Sequence, residues 1–237
     1  MAGTITEMEI QRRNRDRVNI YLDESFAFGL SVILAAGLHK GQSLSDSEIA
    51  ALRSQDEGEQ AYERAVRFLA TRPRSIGEIR RYLANKPGKQ GKPNRQDTRL
   101  ANALIDEVIE RLEHRGYVND LAFARYWIEQ RDQSDPRGVR MLRYELREKD
   151  VTSDVIEAAL DQHDEEDAAY RAALKKARRW TALDDKAFRD KLGGYLVRRG
   201  FDYSTVSDVL GRLISERREA GGSFTLSEED NTHDNQE

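Results

Sequence analysis

Arg72-Pro73-Arg74-Ser75-Ile76-Gly77-Glu78-Ile79-Arg80-Arg81-Tyr82-Leu83 decides the fold, because its pattern returns at Asp135-Pro136-Arg137-Gly138-Val139-Arg140-Met141-Leu142-Arg143-Tyr144-Glu145-Leu146. In both stretches a proline, followed at once by arginine, opens a run whose apolar residues recur at helical spacing. Ile76, Ile79, Tyr82 and Leu83 are expected inward in the first, with Ser75-x-x-Glu78 as its cap. Val139, Leu142 and Leu146 are expected inward in the second, with Pro136 at the first helical position. Lys186 and Phe188 ahead of Lys191-Leu192 mark a weaker third copy.

Each copy has a helix on either side. Ala61, Ala65, Phe68 and Leu69 form a stripe before Pro73, and Leu104, Val108 and Leu112 form one after it, ended by Gly116 as C-cap. In the second copy the flanking stripes are Leu121, Ala124, Trp127 and Ile128, then Val155, Ile156, Ala159 and Leu160 after Thr152/Ser153. In the third, Ala169, Ala172, Ala173 and Ala177 run into Trp180, then Phe188, Leu192 and Leu196, then Val206, Val209, Leu210 and Leu213. Three three-helix repeats of roughly 45–50 residues follow, once the Gly/Pro/Lys loop Lys86–Thr98 is set aside as an insertion.

Upstream the period changes to two. Met8 and Ile10, then Val18, Ile20 and Leu22, then Phe26, Phe28 and Leu30 predict a three-stranded meander with one apolar face. Val32–Ala36 and Ser45–Leu52, the latter with a Ser45-x-x-Glu48 capping box, are expected to cover it, and Gln55–Glu59 reads as a polar bridge. The expected class is mainly α: three tandem three-helix repeats in an elongated curved array behind a small β-meander with short helices. The expected boundaries are 1–58, 59–120 (with the basic insertion 86–98), 121–164, 165–217, and a disordered acidic tail at 218–237.

Composition agrees with a repeat architecture. Of 237 residues 35% are charged and 38% hydrophobic, which is polar for a single spherical core but too apolar and periodic for a disordered chain. The absence of cysteine excludes disulfides, thiolate zinc sites and a cysteine nucleophile. No transmembrane span or signal peptide is expected, which points to a cytoplasmic protein. The net charge of −4 conceals a basic middle: residues 62–150 carry 20 Lys/Arg against 14 Asp/Glu.

Catalytic patterns are missing. The four histidines are scattered, and no HExxH, GxSxG or phosphate loop occurs. Asp161, Asp164, Glu165, Glu166 and Asp167 suit acids at a helix N-terminus better than a metal site. The positive signal is arginine. Arg74, Arg80 and Arg81 cluster with Lys86, Lys89, Lys92 and Arg95 around the first repeat's second helix. Arg137, Arg140, Arg143 and Arg147 are expected on one solvent-facing stripe of the equivalent helix, opposite Val139, Leu142 and Leu146. Such a row matches phosphate contacts, and a solvated helix face partly neutralised by Glu145 and Glu148 is the plainer alternative. Among the aromatics Tyr82, Trp127, Trp180 and Phe188 fall on apolar stripes, whereas Tyr144 sits among the arginines.

The run Phe68-Leu69-Ala70-Thr71-Arg72-Pro73-Arg74-Ser75 with Glu78-Ile79-Arg80-Arg81-Tyr82-Leu83 resembles the RecX family of bacterial RecA regulators. So do Val108-Ile109-Glu110-Arg111-Leu112, Gly116-Tyr117-Val118-Asn119-Asp120 and Ala122-Phe123-Ala124-Arg125. The match covers roughly residues 60–215; the 86–98 insertion and the acidic tail depart from it. The resemblance implies a non-enzymatic, cofactor-free protein that binds the RecA–DNA filament and inhibits RecA's recombinase, ATPase and coprotease activities. The expected partners are the RecA filament and, without sequence preference, single- and double-stranded DNA; a monomer and no membrane contact are expected. A sequence-specific regulator built from helix-turn-helix-like units and a scaffold without nucleic acid are the alternatives.

Overall fold

The alternation at the N-terminus folds as an antiparallel sheet in the computed structural model, which describes residues 2–85 and 100–219. Strands β1 (Gly3–Gln11), β2 (Asn14–Leu22) and β3 (Ser25–Ser31) form the meander, and a two-residue strand β4 (Ser43–Leu44) adds to it in the order β3-β2-β1-β4. The β2–β3 turn is tight, with Asp23 and Glu24 both left-handed (φ 46° and 69°), as a two-residue hairpin turn compatible with strand twist requires. Ile5, Val18, Ile20, Leu22, Phe28 and Leu30 form the apolar face. Ile10 and Phe26 do not join it. They are 59% and 60% exposed: the shift at Ile20/Tyr21 turns Phe26 to the face of Tyr21, whereas Ile10 stays in register opposite Val18 but is left uncovered.

The face is covered by α1 (Val32–Ala35) and the first turns of α2 (Asp46–Leu69), through Ala35 and Ile49. The capping box forms: Ser45 N–H donates to Glu48 Oε2 (2.8 Å) and Glu48 N–H to Ser45 Oγ (3.3 Å). Gln55–Glu59, expected as a bridge, is helical, and α2 runs unbroken for 24 residues. The reason is Asp56. Its buried carboxylate accepts hydrogen bonds from Arg17 (2.8 and 3.2 Å), from Ser31 N–H (2.7 Å) and from Gln60 Nε2 (2.6 Å). A polar stretch thus faces polar partners at the end of β3. Helices α3 (Ile76–Ala84) and α4 (Asn102–His114) complete the first group, with Ala61, Ala65, Ile79, Leu83, Ile105, Val108 and Leu112 buried. The chain leaves α4 through left-handed Gly116 (φ 71°), with Tyr117 N–H donating to the Leu112 carbonyl at 2.9 Å.

Contacts divide the chain into two compact units, Met1–Arg74 with Glu78–Val118, and Ser75–Gly77 with Asn119–Glu237. In the second, α5 (Asp120–Ser134), α6 (Val139–Arg147) and α7 (Ser153–Leu160) enclose Phe123, Ala124, Ile128, Leu142, Leu146, Ile156 and Leu160. Helices α8 (Glu165–Ala177), α9 (Asp185–Arg198) and α10 (Tyr203–Glu219) enclose the five alanines of α8 with Phe188, Leu192, Leu196, Val209 and Leu213. The acids Glu165, Glu166 and Asp167 occupy the first turn of α8, and Asp164 caps it. The 86–98 insertion lies outside the described residues, and so does the expected tail from residue 220, whereas its first two residues, Arg218 and Glu219, are helical and close α10.

One helix start differs from the sequence expectation. Pro136 and Arg137 precede α6, which begins at Val139. Gly138 N–H donates to the Arg199 carbonyl (3.0 Å), and Val139 N–H to Glu165 Oε1 (2.9 Å), so tertiary partners fix the entry of the chain. A Cβ at Gly138 would collide with the backbone of Gly200 and Phe201. The repeat equivalence survives: Ile79 and Leu142 are both fully buried. Ser75, aligned with Gly138, donates its hydroxyl to the Lys149 carbonyl at 2.6 Å. Lys149 and Arg199 each immediately precede a left-handed residue, Asp150 (φ 57°) after α6 and Gly200 (φ 90°) after α9.

Candidate nucleic-acid interface

The arginines of the first group separate on closer view. Arg74 lies just ahead of α3, its guanidinium 3.9 Å above the Phe68 ring, which itself stacks on Tyr82 at 4.1 Å and 6°. Burial, with Arg72 adding repulsion, pulls its pKa below the usual arginine value, against the opposing pull of Glu78. Arg74 is therefore half-buried packing. Arg80 and Arg81 stay exposed on α3, and Arg80 pairs with Asp106 of α4 at 2.6 Å. Such an exposed pair is worth only about 0–1 kcal/mol, so a phosphate can compete for the cation. Lys86, Lys89, Lys92 and Arg95 lie outside the described residues.

In the second unit the row of four does not form a single stripe. Arg137 sits before α6, pairs with Asp135 at 2.7 Å and lies 4.0 Å from Glu145. Arg143 forks onto Glu157 of α7 with two 2.8 Å bonds. That fork raises the Arg143 pKa and, with Arg147 pulling through space, holds the Glu157 carboxyl below its ordinary range despite slight desolvation. Arg140 is exposed and donates to the Val197 carbonyl at 2.9 Å. Arg147 is exposed, and among the described residues it makes no ion pair.

Of the two carboxylates expected to neutralise the row, Glu145 is held mainly by α5. Glu145 accepts from Trp127 Nε1 and from Arg131 Nε, both at 2.8 Å, on α5. The cationic face of α6 thus narrows to Arg140 and Arg147, with the Tyr144 ring, 61% exposed, between them. Positions i, i+4 and i+7 share one side of a helix.

Spacing alone did not reveal the junction between the second and third groups. Arg199 pairs with Asp135 and donates to the Pro136 carbonyl (3.1 Å), while Arg171 donates to the Asp132 carbonyl at 2.6 Å. Buried His163 meets Asp132 through Nδ1 at 3.1 Å. Their partners are backbone carbonyls and distant acids, which leave no periodic trace. Among the described residues no group of His, Cys, Asp and Glu could hold a metal ion. Nor is any helix there long and apolar enough to cross a membrane.

A small antiparallel sheet followed by three three-helix groups, with exposed arginines on α3 and α6, defines a helical-repeat protein. Family models name it more closely: the regulatory protein RecX N-terminal domain matches residues 3–45, and the RecX first, second and third three-helix domains match 61–86, 119–160 and 164–210. Regulatory protein RecX of Bacillus pumilus is 30% identical over 220 residues, spanning 91% of this chain and 79% of that one. The Bacillus subtilis protein of that name is 30% identical over 223 residues with the same coverage. A crystal structure of regulatory protein RecX matches with a TM-score of 0.66 and 25% identity, over 87% of this chain and 98% of that one. RecX from Lactobacillus salivarius, at 18% identity and a TM-score of 0.57 over 68% of this chain and 99% of that one, shares the fold. The chain belongs to the RecX family of regulatory proteins.

Proposed function

We propose that this protein binds the RecA nucleoprotein filament and lowers RecA's recombinase, ATPase and coprotease activities by contact, without catalysis of its own. Family membership across 91% of the chain is the observation that carries this reading. The exposed arginines Arg80, Arg81, Arg140 and Arg147 support it physically, because a filament on DNA is a long polyanion and such contacts position a protein without reading sequence. Single- and double-stranded DNA are then both ligands, bound with strong salt dependence, by a cytoplasmic monomer.

A sequence-specific helix-turn-helix reader is less well supported. Recognition helices present their N-terminal side chains to base edges, whereas the N-terminus of α6 is taken up by Glu165 and the Arg199 carbonyl. Co-sedimentation with RecA filaments assembled on single-stranded DNA with a non-hydrolysed ATP analogue tests the reading. The protein should pellet with filaments and stay in the supernatant without them, and it should hydrolyse no ATP alone. Failure to pellet, or intrinsic turnover, contradicts it.

A further inference from the structure

Tyr144 is the exposed aromatic of α6 that neither the core nor an ion pair absorbs. It is 61% exposed at the middle of the helix, four residues after Arg140 and three before Arg147, so all three share one side of α6. Arg140, Met141 and Tyr144 line an open depression of about 310 Å³. Among its lining residues, Arg140 has its guanidinium held by the Val197 carbonyl at 2.9 Å. Arg143, the arginine that could have crowded this surface, is turned onto Glu157. Of the acids near α6, Glu145 is committed to Trp127 and Arg131, and Glu165 to the Val139 N–H.

A planar ring flanked by two cations one turn away on each side is complementary to a nucleotide whose base is unpaired. The base stacks on the ring and the adjoining phosphates meet the guanidiniums. A duplex offers the same phosphates but keeps its bases stacked inside, so only the arginine share of the contact remains. We infer that Tyr144 stacks on an unpaired nucleobase and makes this face of α6 prefer single-stranded nucleic acid, with Arg140 and Arg147 holding the flanking phosphates. The inference rests on the reading of a filament-binding protein, and it names which strand form the second three-helix group engages.

The test is fluorescence anisotropy with a labelled oligothymidylate, a duplex of equal length and an oligomer of abasic sugar–phosphates. The full-length protein is compared with Tyr144→Ala and Tyr144→Phe. Tyr144→Ala should weaken binding to oligothymidylate by roughly tenfold or more, the scale of losing one base–aromatic stack. Its affinities for the duplex and the abasic strand should stay within about twofold of the unsubstituted protein. Tyr144→Phe should retain the preference, since the ring and not the hydroxyl makes the contact. Both variants should melt with the unsubstituted protein, because the side chain is exposed.

Equal loss on all three ligands, no loss on any, or competition by polyglutamate that is as strong as by oligothymidylate and insensitive to Tyr144 would overturn the inference. A protein that pellets with RecA filaments but binds none of the oligomers would also overturn it and leave the filament reading standing. Tyr144-dependent binding of oligothymidylate by a protein that ignores RecA filaments would uphold it and remove the filament reading.

Discussion

Asp56 and Gly200 show how single positions secure this fold. Asp56 gathers Arg17, the Ser31 N–H and Gln60 in a buried site, so Asp56→Ala strands the Arg17 guanidinium, which is largely buried itself. Urea unfolding of the variant should show a loss of about 2–3 kcal/mol, at the lower side of broken buried pairs because Arg17 keeps some water. Gly200 has φ 90°, and a Cβ there would lie 2.6 Å from the Met141 nitrogen. Gly200→Ala should therefore cost at least ~2 kcal/mol, from backbone strain together with displacement of α6. At Asp135 burial pushes the carboxyl pKa up, but Arg199 and Arg137 more than offset it and hold the pKa below the ordinary value. A depressed carboxylate stabilises the fold above the unfolded value of about 3.9 and loses that contribution as pH falls through the folded value. Thermal melts between about pH 5 and pH 3 should show a smaller decline for Asp135→Asn than for the unsubstituted protein.

Elements were legible where their periodicity was strong. The stripes of α4, α5, α7, α8 and α10 could be read because an amphipathic helix must place its apolar residues on one side. The Ser45-x-x-Glu48 box was equally plain, and Ser45→Ala should cost α2 about 1 kcal/mol by chemical denaturation. Other features left no local trace. Strand β4 has two residues, too few for alternation, and the bulge that turns Phe26 outward is set by pairing. The continuity of α2 through Gln55–Glu59 depends on a partner 39 residues away in sequence, Arg17. The arginine row of α6 was legible as charge but not as geometry, because the positions of Asp135 and Glu157 decide which cations remain unpaired. Arg143→Ala should change stability by less than ~0.5 kcal/mol and barely alter DNA binding. Arg140→Ala with Arg147→Ala should lower the salt slope of binding by about two units on duplex DNA and somewhat less on single strands.

At the scale of the whole molecule, the repeat equivalence that begins at Pro73 and Pro136 supports the family assignment. Helices entered through Ser75 and Gly138, with Ile79 and Leu142 buried alike, are copies of one unit. Each copy buries its apolar stripes within its own three-helix group and leaves part of its second helix exposed to carry charge. Arg80, Arg81, Arg140 and Arg147 are exposed there, and the proposed filament reading uses that charge as its contact surface. The most direct measurement is ATP hydrolysis by RecA on single-stranded DNA as this protein is titrated in. The rate should fall progressively to a low plateau at substoichiometric to equimolar protein, with no hydrolysis by the protein alone. A rate that stays constant through a large molar excess would contradict the account.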